Sequence, residues 1–140
     1  MNSAKRVLVL FENLQVRREP VQYATALAER IGARVVLLML LPSDFGNGRH
    51  GADLQHKGEL VLAEEAKTMV QLGIENERVV RIGDPKSEFY KFLASRPSFQ
   101  TVVWGGDENV LARSSGRTTD HWVSAIHNDL YCPLVIPRKR

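Results

Sequence analysis

Five short apolar runs, each separated from the next by a stretch of helical periodicity, leave this chain few ways to fold. "RVLVLF" (Arg6 to Phe11) and "RVVLLMLL" (Arg34 to Leu41) are unbroken, as expected of strands covered on both faces. "ERVVRIG", "FQTVVWGG" and "CPLVIP" supply a third, fourth and fifth. Between the first two, "REPVQYATALAERIG" places Val21, Ala24, Leu27, Ala28 and Ile31 at helical spacing. Pro20 falls in the first turn and Gly32 forms a C-terminal cap. A long helix is expected near Leu54 to Leu72, with Leu62, Ala66, Met69 and Gly73 on its apolar stripe and Glu64 and Glu65 facing outward. In "DPKSEFYKFLASRP", Asp84 is placed to cap a helix and Pro85 to start it. "TTDHWVSAIHNDL" (Thr118 to Leu130) reads as one last helical stretch.

Strands separated in this way by helices run parallel with right-handed crossovers. The expected architecture is α/β: a single Rossmann-like, doubly wound domain over residues 1–140, with a five-stranded parallel sheet and helices on both faces. No linker, composition shift or internal repeat divides it. In such sheets ligands sit beyond the carboxyl ends of the strands, where strand order reverses. That directs attention to Glu12 and Gly105, at the ends of the first and fourth strands.

Composition narrows the function classes. At 44% apolar and 25% charged residues the chain is of ordinary globular type. The net charge of +3 is carried by Arg138, Lys139 and Arg140; the rest has equal numbers of acids and bases, alternating along the chain. Nucleic acid is therefore not an expected partner. Neither is a membrane, since "VVLLMLLP" is far shorter than the roughly 20 residues a span requires, and no signal peptide is read at "MNSAKRVLVLF". The one cysteine, Cys132, fits a reducing, cytoplasmic setting and reads as a packed thiol.

Several chemical motifs fail on context. "GNGRHG" (Gly46 to Gly51) matches a dinucleotide-loop pattern but follows the second strand, not the first. His50, His56, His121 and His127 form no compact ligand set, and read as surface or helix-cap residues. There is no G-x-S-x-G elbow, and "ENLQ" and "IGDP" lack the acids of a phospho-receiver. No catalytic residue and no metal site is assigned. Glu12 stands either as a carboxylate at the ligand crevice or as a solvated strand end. In "WGGDENVLARSSGRTTDHW", Gly105 and Gly106 would let a phosphate approach the backbone. A helix starting near Arg117 to Thr119 would add amides and hydroxyls from Ser114, Ser115, Gly116, Arg117, Thr118 and Thr119. The alternative is a surface loop whose hydroxyls cap the next helix.

"RVLVLFEN", "GDPKSEFYKFLA", "TVVWGG" and "YCPLVIP", in this order and at this spacing, resemble the universal stress protein (UspA-like) family across essentially the whole chain. The resemblance implies a homodimer, often built by pairing the final strands, a stress-response role and no established enzymatic activity. It also implies an ATP site: Glu12 near the ribose or phosphates, the backbone around Leu40 near the adenine, and Gly105, Gly106 and Ser114 to Thr119 at the phosphates. The chain departs from the family's phosphate loop. Glu108 stands where a glycine is usual, Asp120 and His121 replace a Gly-Ser pair, and Glu12 replaces Asp. Asp107, Glu108 and Asp120 would repel a triphosphate unless a divalent ion intervened. Two other functions are compatible with the fold: a ligand-free dimeric interaction module, and an enzyme such as an ATP pyrophosphatase or a flavin-binding subunit. The pyrophosphatase would need an S-G-G-x-D-S-type loop after the first strand, which "FENLQVRREP" lacks.

Overall fold

A computed structural model describes residues 5–42, 51–96, 98–110 and 121–138. Strands β1 (Arg6–Phe11), β2 (Arg34–Leu41), β3 (Asn76–Ile82), β4 (Thr101–Trp104) and β5 (Leu134–Val135) form one five-stranded sheet in the order β3-β2-β1-β4-β5. All four pairings are parallel. Helices α1 (Arg18–Ile31), α2 (Gly51–Gln71), α3 (Pro85–Ala94) and α4 (Trp122–His127) make the connections. The α/β fold read from the apolar runs is the fold observed.

The chain winds outward from β1 to β3, then returns to the other side of β1 for β4 and β5. Right-handed crossovers require the helices before and after such a reversal to lie on opposite faces. Burial follows that rule with a period of two. Val7, Val9 and Phe11 of β1 join Ala24 and Ala28 of α1 and Leu62, Ala66 and Met69 of α2. Leu8 and Leu10 join Phe89 and Phe92 of α3 and Val123 and Ile126 of α4. Every β1 side chain from Val7 to Phe11 is fully buried, each contributing about 1.5–3 kcal/mol of transfer free energy.

The local signals act where they were read. Gly32 closes α1 in the left-handed region at φ 70°, and its N–H donates to Ala28 O. The Asp84 carboxylate accepts from the Ser87 N–H at 3.0 Å. That hydrogen bond holds its carboxyl below the usual range. Thr25, the one buried polar residue among those described, donates Oγ1–H to Val21 O at 2.7 Å.

Three boundaries differ from expectation. Helix α2 begins at Gly51, before Leu54, and Gly73 is not on its stripe but beyond its end, exposed and at φ 73°. The last helix is not continuous over Thr118 to Leu130: His121 is extended (φ −62°, ψ 142°), and among the described residues of that stretch helix covers Trp122–His127, while Thr118 to Asp120 lie outside them. The imidazole itself caps that helix, which is why it begins there. The final strand is two residues long because Pro133 and Pro137, which have no N–H to give a ladder, bracket it.

Candidate functional site

The order β3-β2-β1-β4-β5 places the topological switch point between β1 and β4, whose ladder runs from Val7↔Thr101 to Leu10↔Trp104. The residues following these strands, Glu12 and the Gly105–Gly106 pair, therefore meet at the carboxyl end of the sheet. Strand alternation after Leu10 and Phe11 turns the Glu12 side chain towards the face covered by α3 and α4. There its Oε1 pairs with Nε2 of His121 at 2.5 Å, both side chains about four-fifths buried. The same ring accepts the Val123 N–H on Nδ1 at 3.1 Å. His121 was expected only as a surface or cap residue. It does cap α4, and it also bridges that helix to β1.

The two glycines are buried and close-fitted. A Cβ on Gly105 would stand 2.4 and 2.5 Å from the Phe11 ring, and one on Gly106 would stand 2.6 Å from the Trp104 ring and 3.2 Å from Glu12 Oε2. The Gly105 N–H continues the β1 ladder to Leu10 O at 2.7 Å. Glycine is thus required at both positions by aromatic packing. Beyond them the chain makes a turn in which Asp107 O accepts from Val110 N–H at 3.1 Å and from Trp104 Nε1–H at 2.9 Å. Trp104 meets His121 and Trp122 edge-on, at centroid distances of 5.4 and 5.7 Å. The floor of the crevice is therefore aromatic.

Arg17, which no motif singles out, ties this region together. Its Nε donates to Gly106 O and its Nη1 to Pro137 O at 3.0 Å, so one guanidinium joins the segment before α1 to those following β4 and β5. Nη2 is buried and has no partner among the described residues, as is the Trp122 indole N–H.

Leu40 lies on β2, its side chain fully buried against the α3/α4 face and remote from solvent. Its backbone belongs to the β1–β2 ladder, whose last pair is Phe11↔Met39. The Arg34 N–H points to β1 (Lys5 O) and the Gly83 N–H reaches Leu41 O from the β3 side. Alternation then turns the Leu40 N–H and C=O towards β1. Ser114, Ser115, Gly116, Arg117, Thr118 and Thr119 lie outside the described residues, as do Asp120, His50 and all of the glycine-rich "GNGRHG" segment before Gly51. Cys132 is half-buried, and burial pushes its thiol up, as expected of a packed thiol. Among the described residues, no three His, Cys, Asp or Glu side chains converge as metal ligands, and no helix is long and apolar enough to cross a membrane.

No family model and no curated relative matches the sequence. Solved structures do match its fold over almost the whole chain. A protein of the universal stress protein family from Burkholderia pseudomallei superposes with a TM-score of 0.69 at 16% identity, covering 96% of each chain. The universal stress protein from Archaeoglobus fulgidus in complex with dAMP gives 0.67 at 15% identity, covering 99% of this chain and 100% of the other. A universal stress protein family member from Arabidopsis thaliana with AMP bound gives 0.57 at 17%, covering 96% and 92%. The chain has the universal stress protein fold.

Proposed function

We propose that this chain is a universal stress protein domain that acts as a non-enzymatic, homodimeric regulator in the cytoplasm and binds an adenine nucleotide at the β1/β4 switch point. The observation that carries this reading is the position of Glu12. It follows the central strand at the crevice of a fold whose matched structures include complexes with dAMP and AMP. The Glu12 carboxylate would accept hydrogen bonds from ribose hydroxyls, and the backbone around Leu40, at the end of β2, would meet the adenine edge. Gly105, Gly106 and the segment from Ser114 to Thr119 would lie towards the phosphates. Calorimetric titration of AMP into the nucleotide-stripped protein tests it. Saturable binding at micromolar concentration is expected, and absence of heat at millimolar AMP would refute it.

The second reading, a ligand-free dimeric interaction module, is favoured by one observation. Glu12 and His121 already satisfy each other across the crevice. Failure to bind adenosine and AMP, together with retention of the dimer, would select it.

A further inference from the structure

We infer that the Glu12–His121 pair makes the crevice prefer adenosine and its monophosphate over the triphosphate. This rests on the nucleotide-binding reading above. The protonation of the ring follows from its contacts. Nδ1 accepts the Val123 N–H, so it carries no proton, and the single ring proton is on Nε2, where it is donated to Glu12 Oε1. The imidazole is therefore neutral. His121 orients the Glu12 carboxylate without cancelling its charge.

That charge stands where added phosphates would be felt. Glu12 Oε2 is 3.2 Å from the position a Cβ would take on Gly106, so the carboxylate flanks the backbone that a phosphate would have to approach. Asp107, exposed in the next turn, adds a second negative charge. Arg17 brings a positive charge to the Gly106 carbonyl, and Glu19 offsets part of it. The arginine's Nε and Nη1 are held by the Gly106 and Pro137 carbonyls, its Nη2 is buried, and Glu19 Oε1 lies 3.8 Å from Nη1. A nucleoside brings hydroxyl donors that a carboxylate accepts. Each phosphate brings acceptors and further negative charge that it repels, and a partly buried site screens this less than water does.

The test is calorimetry of adenosine, AMP and ATP with the full chain in magnesium-free buffer, on the native protein and on Glu12→Gln. The amide keeps an acceptor for the His121 Nε2–H and removes the charge. Native protein should bind ATP at least about tenfold more weakly than AMP. Glu12→Gln should bring the two within about threefold, because the ribose contact is common to both ligands and cancels in their ratio, whereas the repulsion of the added phosphates does not. A salt series on the native protein needs no variant, and rising ionic strength should narrow the AMP-to-ATP gap. Equal affinity of the native protein for AMP and ATP overturns the inference while leaving the nucleotide reading intact. So does a ratio that neither Glu12→Gln nor salt changes. If neither protein binds any of the three ligands, the nucleotide reading falls and this inference with it.

Discussion

Substitution of Gly105 by alanine should destabilise the protein through steric conflict alone. Gly105 is absent from the positive-φ glycines, so the backbone there makes no demand that alanine cannot meet. The obstacle is Phe11, whose ring atoms would lie 2.4 and 2.5 Å from the new methyl group. Carbon atoms pack at about 3.5–4.0 Å, so more than 1 Å of overlap must be relieved. The ring has little room to retreat: Phe11 is fully buried on the central strand, paired to Met39 and packed beneath the α1/α2 layer. Overpacking of this kind costs about 1–3 kcal/mol. With about 2.1 cal/mol/K of unfolding entropy per residue, a loss of about 2 kcal/mol lowers Tm by about 7 °C in a chain of 140 residues. Thermal unfolding of Gly105→Ala, Phe11→Leu and the double variant measures it. Leucine is smaller than phenylalanine, so Gly105→Ala should cost less than half as much in the Phe11→Leu background. A Tm within about 2 °C of the parent, or an equal cost in both backgrounds, would refute the steric account. The same geometry makes Gly105→Asp a poor probe of ligand binding, since it would disturb the core first.

Two further outcomes follow from ionisable groups. Arg96 donates two hydrogen bonds to Glu77, at 2.5 and 2.7 Å, which hold the Glu77 carboxyl below its usual range. A depressed folded-state value stabilises above the unfolded one, near 4.5, and that stability is lost as pH falls through the folded value. Urea unfolding of Glu77→Gln should therefore show a deficit of about 0.5–1 kcal/mol at neutral pH, small because the pair is partly exposed, and none in strong acid. A deficit that does not change with pH would remove the ion pair as its cause. For Cys132, raised chiefly by burial, alkylation of the native protein at pH 8 should be at least about tenfold slower than that of free cysteine. Unfolding in urea should abolish the difference, whereas equal rates in the native state would show an accessible thiol.

What could be read from the sequence was local. Asp84, Pro85 and Gly32 announce helix ends because each acts on backbone groups within a few residues. The unbroken runs around Leu8 and Leu37 announce strands covered on both faces. The switch point followed from element order alone, and Glu12 and Gly105 do lie there, at the ends of β1 and β4. The partners of those residues were not legible. Glu12 meets His121 across 109 positions, and Arg17 reaches Pro137 across 120, with no periodicity or spacing to link them. The glycine pair suggested space for a phosphate, but the need for glycine comes from two rings, Phe11 and Trp104, whose directions are set by the sheet. The start of α4 was misplaced for a related reason. Two threonines and an aspartate are the usual caps, yet the capping atom is an imidazole nitrogen of His121.

The central place of β1 also governs the order in which the chain can assemble. Val7 pairs with Val35 on one side and with Thr101 on the other. During synthesis the first flank can close as soon as β2 has emerged, whereas the second waits until most of the chain has been made. Throughout that interval a strand of continuous Val and Leu residues has one unpaired edge and one uncovered face, because α3, β4 and α4 all follow later. The half-built sheet β3-β2-β1 is therefore the species most exposed to wrong pairing. Completion of β4 closes the open edge, and the face is fully covered only when α4 follows.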